Sequence, residues 1–269
     1  MSRLWTALTA LSLMMTACSE QVSVRGDVLV TKSSDSIVGG NVVNAGEFGS
    51  EFVAMIYREN EFGEPSICTG SFISESAILT AAHCIPKNIE QMNVVFADKP
   101  FVSTEATRLS IVSTLVHPKY KKGQNDLALI RFSGGLPLGA KIVQMAPRPW
   151  VILKHKHIFA LGYGRTQGLE DSTDFSQELG ILRGVNISTK NTLAKVEGFY
   201  TVQKQSGVCY GDSGGPAIVV NDFNQPILVG VANAVISSPD ISDFCKYKSI
   251  YLDIGFYTAW LSTALNTDL

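Results

Sequence analysis

From Ile37 onward the chain is a succession of short apolar or alternating runs. Phe52-Val53-Ala54-Met55-Ile56-Tyr57, Ser71-Phe72-Ile73, Ala77-Ile78-Leu79-Thr80, Asn93-Val94-Val95-Phe96 and Leu109-Ser110-Ile111-Val112 are separated by Gly, Pro, Asn, Ser or charged residues. Leu127-Ala128-Leu129-Ile130-Arg131-Phe132 continues the series before Gly134-Gly135-Leu136-Pro137 breaks it. A second set follows at Ile158-Phe159-Ala160-Leu161-Gly162, at 182–187, at 216–220 and at 226–232. Many short runs with turn signals between them predict strands of an all-β sandwich or barrel. The Pro-containing link Ala146-Pro147-Arg148-Pro149 divides the two sets, which predicts two barrels side by side. Ile254, Tyr257, Leu261 and Leu265 fall near one face at helical spacing, so residues 254–265 are expected to form a C-terminal helix.

The first 36 residues break the pattern. Arg3 precedes an uncharged, mostly apolar segment at 4–17, which has the length of a signal-peptide core and is short for a membrane span. It ends Met15-Thr16-Ala17-Cys18, which resembles a bacterial lipobox with Cys18 as the acylated residue. Residues 1–18 are therefore expected to be an export signal. The outcomes are an anchor in the outer membrane facing the periplasm, or secretion after an ordinary cut near Ala17. Residues 19–36 are polar, show little periodicity and read as a linker or pro-segment.

Composition narrows the function classes. The 269 residues carry a net charge of −2 with no basic run, so nothing points to nucleic acid. No later apolar stretch reaches the roughly 18 residues of a membrane helix, which leaves a lipid on Cys18 as the expected membrane contact. Apart from Cys18 there are four cysteines, Cys68, Cys84, Cys209 and Cys245. An even number in an exported chain favours disulfides, and spacing leaves all three pairings open. No C-x-x-C or H-x-x-x-H spacing supports zinc, and no metal is expected.

Chemistry concentrates in Gly211-Asp212-Ser213-Gly214-Gly215-Pro216. A serine among glycines suits a nucleophile on a sharply bent backbone, because glycine permits φ values that a Cβ resists. Two N–H groups of such a bend can converge on one oxyanion. A base is available in His83, within Thr80-Ala81-Ala82-His83-Cys84, and an orienting acid in Asp126, ahead of Leu127-Ala128-Leu129-Ile130. Taken singly, His83 could be a buried structural ring and Asp126 a strand-start residue.

Together with Ile37-Val38-Gly39-Gly40, these motifs resemble the four signature blocks of the chymotrypsin/trypsin-like serine protease family, in the family's order. His117-Pro118 with Tyr120, and Leu161-Gly162-Tyr163-Gly164-Arg165-Thr166, add smaller echoes. The resemblance spans Ile37 to about Leu261. It implies an all-β peptidase domain over 37–269: two six-stranded antiparallel β-barrels, about 37–148 and 149–269, with the active site in the cleft between them. It implies His83 as general base, Asp126 as its orienter, Ser213 as nucleophile, and the N–H groups of Gly211 and Ser213 as the oxyanion hole. It pairs Cys68 with Cys84 and Cys209 with Cys245. No cofactor is implied; the partners are a protein or peptide substrate and an unidentified activating protease, and a monomer is expected.

The resemblance also carries an activation scheme. Cleavage before Ile37 would free an α-ammonium to pair with Asp212, although Ser36 stands where a basic residue is familiar. Alternatively, Ile37 begins a strand and the protein works uncut. For substrate choice, Gly207 stands six before Ser213, where an acid would select Arg or Lys. Val235 and Ser249 match the pocket walls, and Val235 narrows the pocket toward small aliphatic residues, with a chymotrypsin-like slot as the second reading. Asn233-Ala234-Val235 replaces the familiar Ser-Trp-Gly wall. The competing function is a catalytically inactive relative that binds a partner. An α/β-hydrolase esterase is disfavoured because its nucleophile comes first in sequence. His117, His155 and His157 are expected at the surface or in turns.

Overall fold

The computed structural model describes residues 37–59, 65–147, 149, 157–168, 179–193 and 197–267. The leader with Cys18, the segment 19–36 and His155 lie outside the described residues. The strands in chain order are β1 (Asn41–Val42), β2 (Val53–Glu59), β3 (Pro65–Ser74), β4 (Ala77–Thr80), β5 (Met92–Phe96), β6 (Thr107–Arg108), β7 (Ser110–Val116) and β8 (Ala128–Ser133). After the short β9 (Gln144–Met145) come β10 (His157–Gly162), β11 (Arg183–Leu193), β12 (Gly198–Val202), β13 (Pro216–Val220), β14 (Pro226–Ile236) and β15 (Lys248–Asp253), then helix α1 (Thr258–Asn266).

The second set of strands closes. β10, β11, β12, β15, β14 and β13 pair in a ring that returns to β10, with β1 added on β11 and β9 parallel on β14. The first set runs β6-β5-β2-β3-β4-β8-β7 and curls into a half-barrel. Its edge strands are joined through the chain: only Leu109 separates β6 from β7, and its N–H donates to Val94 O at 2.9 Å. The expected pair of barrels is thus one closed ring and one curled sheet.

β12 and β15 escape the hydrophobic pattern for a physical reason. Their inward positions include Thr201 and Ser249, both fully buried, whose hydroxyls share a hydrogen bond at 2.5 Å. A polar pair on the buried face erases the alternation that marks a half-buried strand. The C-terminal helix is shorter than expected: a 3-10 turn at Ile254–Phe256 comes first, and α1 buries Leu261 and Ala264. His117 is a correction. It is buried, edge-on to Tyr257 and Trp260 at ring separations of 5.6 and 4.8 Å, and forms part of the seat for α1.

One apolar core crosses between the sheets. It joins Val53, Met55, Leu79, Leu127 and Leu129 of the first half to Leu161, Tyr163, Ile218 and Leu228 of the second. That shared core holds the facing edges of the two sheets, where loops from each half meet. The disulfides are Cys68–Cys84 and Cys209–Cys245, the pairing the resemblance implied. On loop-closure entropy each stabilises by about 3–4 kcal/mol. Such bridges persist in oxidising, extracytoplasmic compartments.

Candidate active site

His83 sits on a single 3-10 turn, Ala82–Cys84, immediately after β4. The next residue, Cys84, is tied back to β3 through Cys68, so the turn is fixed on both sides of the imidazole. Asp126 follows a hydrogen-bonded turn in which Asn125 takes φ +48°, and Asn125 Nδ2 donates to Lys119 O at 3.1 Å. The buried Asp126 carboxylate accepts from two groups of one residue: His83 Nδ1 lies 2.6 Å from Oδ2, and His83 N donates to Oδ1 at 2.8 Å. Asn233 Nδ2 donates to Oδ2 at 3.2 Å. With its oxygens so used, Asp126 fixes the ring's orientation and holds the Nδ1 proton on the ring. The other ring nitrogen, Nε2, is thereby left as the proton acceptor.

Ser213 lies between Asp212 and Gly214 in the loop before β13. Gly211 takes φ +99°, a value costly for any residue with a Cβ, and a Cβ there would also stand 2.7 Å from Gly164 Cα. Thr69 of β3 anchors the loop from the opposite sheet. Its N–H donates to Ser213 O at 2.8 Å and its hydroxyl donates to Gly211 O at 3.2 Å. Gly214 N in turn donates to Ala232 O at 2.8 Å. The loop that carries Ser213 is therefore clamped by both sheets, which permits a fixed geometry at Ser213.

Asp212 is fully buried. Oδ1 accepts from Gly164 N at 2.8 Å and Oδ2 from Cys209 N at 2.7 Å. Burial pushes its carboxyl up to about 7, against the lowering effect of these two N–H groups and of Arg183. Gly162 and Gly164 leave room for it: a Cβ on Gly162 would lie 2.1 Å from Asp212 Oδ1. Gly162→Ala is expected to displace Asp212, destabilise the fold by about 1–3 kcal/mol and lower turnover. Denaturant midpoints and kcat of the variant check this, and an unchanged midpoint would contradict it.

His83, Asp126 and Ser213 line one open cleft of about 610 Å³, together with Gly211 and Val235. Gly207 and Ser249 do not line it. Gly207 is buried, its N–H donates to Val38 O at 2.8 Å, and the side chain of Gln203 covers it. Gln203 is itself fully buried. Its Nε2 donates to Val208 O and Cys245 O at 2.9 and 2.6 Å, and its Oε1 accepts from Val208 N at 3.0 Å. An uncharged, saturated amide thus stands behind the pocket segment.

Cys68, His83 and Cys84 come close enough to resemble a metal site, but both sulfurs are consumed by their disulfide. Sequence reasoning passed over Thr69, Gln203 and the hydrogen bond of Asn233. Nothing local marks these residues, because their partners lie 107 residues away for Asn233 and up to 142 for Thr69. Arg183, a buried charge at the head of an apolar run, was the one such residue with a visible signal.

A β-ring and a curled sheet sharing a Ser–His–Asp cleft define a class of hydrolytic architecture. The family profile described as Trypsin matches residues 37–260, and the chain belongs to the trypsin family of serine proteases. It is 29% identical over 239 residues to serine protease SP24D of Anopheles gambiae, covering 85% of this chain and 81% of that protein. It is 26% identical to fibrinolytic enzyme isozyme C of Lumbricus rubellus, covering 84% of this chain and 98% of that protein. Chymotrypsin of Phaedon cochleariae is 28% identical over 75% of this chain and 73% of its own length.

Proposed function

We propose that the protein is a serine endopeptidase acting through an acyl-enzyme, and that cleavage before Ile37 activates it. The observation that carries the catalytic reading is the 2.6 Å contact between His83 Nδ1 and Asp126 in the cleft that Ser213 lines. In this reading Ser213 Oγ attacks the scissile carbonyl while His83 Nε2 takes its proton and later returns it to the leaving amine. Asp126 stabilises the imidazolium. The N–H groups of Gly211 and Ser213 hold the oxyanion.

For the P1 residue, Val235 lines the cleft and Asp126 is the one carboxylate among its described lining residues. Asp126 is engaged by His83, which leaves no free acid among the described lining residues for a P1 Arg or Lys. Small aliphatic P1 residues fit this best, and a fluorogenic library varied at P1 tests it: a dominant Arg or Lys signal would overturn the assignment.

The activation reading rests on Ile37. Its side chain is fully buried in the core of the closed barrel with Val208 and Tyr251. In the intact chain it holds φ +47°, an outlier for a β-branched residue that costs about 1–3 kcal/mol. Cutting the preceding bond abolishes that torsion and creates an ammonium on a residue that shares a core cluster with Val208, next to the Cys209 whose N–H donates to Asp212. Before the cut, Asp212 has a folded-state pKa of about 7 against an ordinary 3.8, so the folded state holds the proton more tightly. Its contribution to stability then falls as pH rises from about 4 to about 7 and is level outside that window. A cationic partner lowers the pKa, so this fall is expected in the intact chain and absent from the cut one. Melting midpoints from pH 4 to 8 on both forms check it. Equal activity of an uncleavable variant would refute the activation step. N-terminal sequencing and mass of the purified active form test both the cut and a lipid on Cys18.

A further inference from the structure

Among the described residues the cleft is unevenly charged, in a chain whose net charge is −2. Arg58, Lys122 and Arg165 all line it, whereas its one described carboxylate, Asp126, is buried against His83 and Asn233. The three cations come from separate walls. Arg58 lies on β2 opposite Ser66, on the side of the Cys68–Cys84 bridge. Arg165 donates its N–H to Tyr210 O beside Gly211, and its guanidinium stands 6.0 Å over the Tyr210 ring. Lys122 is exposed at the tip of the turn that ends at Asp126.

That tip is fixed. Lys121 and Gln124 exchange both backbone hydrogen bonds, at 3.0 and 2.7 Å, and the same turn carries exposed Lys119 and Lys121. Neither Arg58 nor Lys122 makes an ion pair among the described residues. Arg58 is half-buried, and its Nε is buried with no hydrogen-bond partner there. A partly desolvated guanidinium facing a cleft is stabilised by an incoming carboxylate.

We propose that the subsites flanking the scissile residue are built for acidic side chains, so that the substrates are acidic polypeptides. The P1 residue stays small and uncharged, while Glu or Asp beside it meets the cations that line the cleft, Arg58 and Lys122 foremost. This rests on the peptidase reading of the cleft. Positive potential focused in a cleft also raises the encounter rate with anionic chains.

The test uses quenched fluorescent peptides with one P1 residue and flanks of Glu, Ala or Lys. For the purified protein cut before Ile37, kcat/KM on Glu flanks is expected to exceed that on Ala flanks by about 10-fold at low ionic strength. Raising salt to about 0.5 M should bring that ratio close to one. Arg58→Gln and Lys122→Gln should each lower the ratio by about two- to fivefold. Equal rates on the three flanks, a Lys preference, or a ratio indifferent to salt would overturn the proposal. If the form cut before Ile37 turns over no peptide and its Ser213 takes no phosphonofluoridate label, the peptidase reading is what has failed. Fluorescence anisotropy of the same peptides on full-length Ser213→Ala then decides the cleft chemistry: tighter binding of Glu flanks than Lys flanks supports it, and no difference overturns it.

Discussion

Ser213→Ala is expected to lower kcat by about 10⁶-fold while leaving the fold intact. In the proposed mechanism Ser213 Oγ is the atom that forms the covalent bond, so nothing else in the cleft can substitute for it. His83 loses its function in the same variant, because a base with no nucleophile to deprotonate contributes little; His83→Ala and the double variant should therefore resemble the single one. A residual rate about 10³–10⁴ above water is expected from the Gly211 and Ser213 N–H groups, which the substitution leaves in place. Stability should change little, since Ser213 is only partly buried and its backbone carbonyl still accepts from Thr69 N. Burst kinetics and covalent labelling of the wild type, compared with steady-state turnover of the variants, measure the effect. Wild-type-like turnover in Ser213→Ala would remove the triad reading altogether.

Asp126→Asn should cost about 10⁴-fold in kcat with little change in melting temperature. The asparagine keeps the shape, but its two faces are no longer equivalent. If its NH₂ turns toward His83 Nδ1, the ring proton moves to Nε2, and the base can no longer accept from Ser213. If its carbonyl turns there, the NH₂ faces the His83 backbone N–H that now donates to Oδ1 at 2.8 Å. Neither orientation stabilises an imidazolium. The comparison variant Asn233→Ala removes only one donor to the same carboxylate and should cost far less. A fall in stability that tracks the fall in rate would instead mark Asp126 as a structural residue.

These two expectations draw on residues 43 positions apart for His83 and Asp126, and 129 apart for His83's neighbour Cys84 and Ser213. Their types and order were legible because nucleophilic catalysis requires a few chemically distinctive groups, each in a short motif that also shapes its own backbone. The positive φ at Gly211 and the 3-10 turn at His83 are local properties of those motifs. The supporting residues are of common types with no distinctive neighbours. Thr69 matters only through what lies across the fold, Gln203 through Cys245 as well as its near neighbour Val208, and Thr201 and Ser249 even hid their strands by placing hydroxyls inside.

What the amino-acid sequence determined by itself is therefore the strand-rich class, the cysteines available for bridges and the candidate reacting groups, since each follows from local periodicity or local chemistry. Tertiary structure decided the rest. It closed one sheet through β10–β13 and left the other curled around Leu109. It left Gly207 and Ser249 out of the cleft lining, and it gathered Arg58, Lys122 and Arg165 in the cleft that Ser213 lines. The physical reason is that charge and packing act through space. Residues from β2, from the turn before Asp126 and from the segment after β10 share one electrostatic environment only after the two halves have buried their common core.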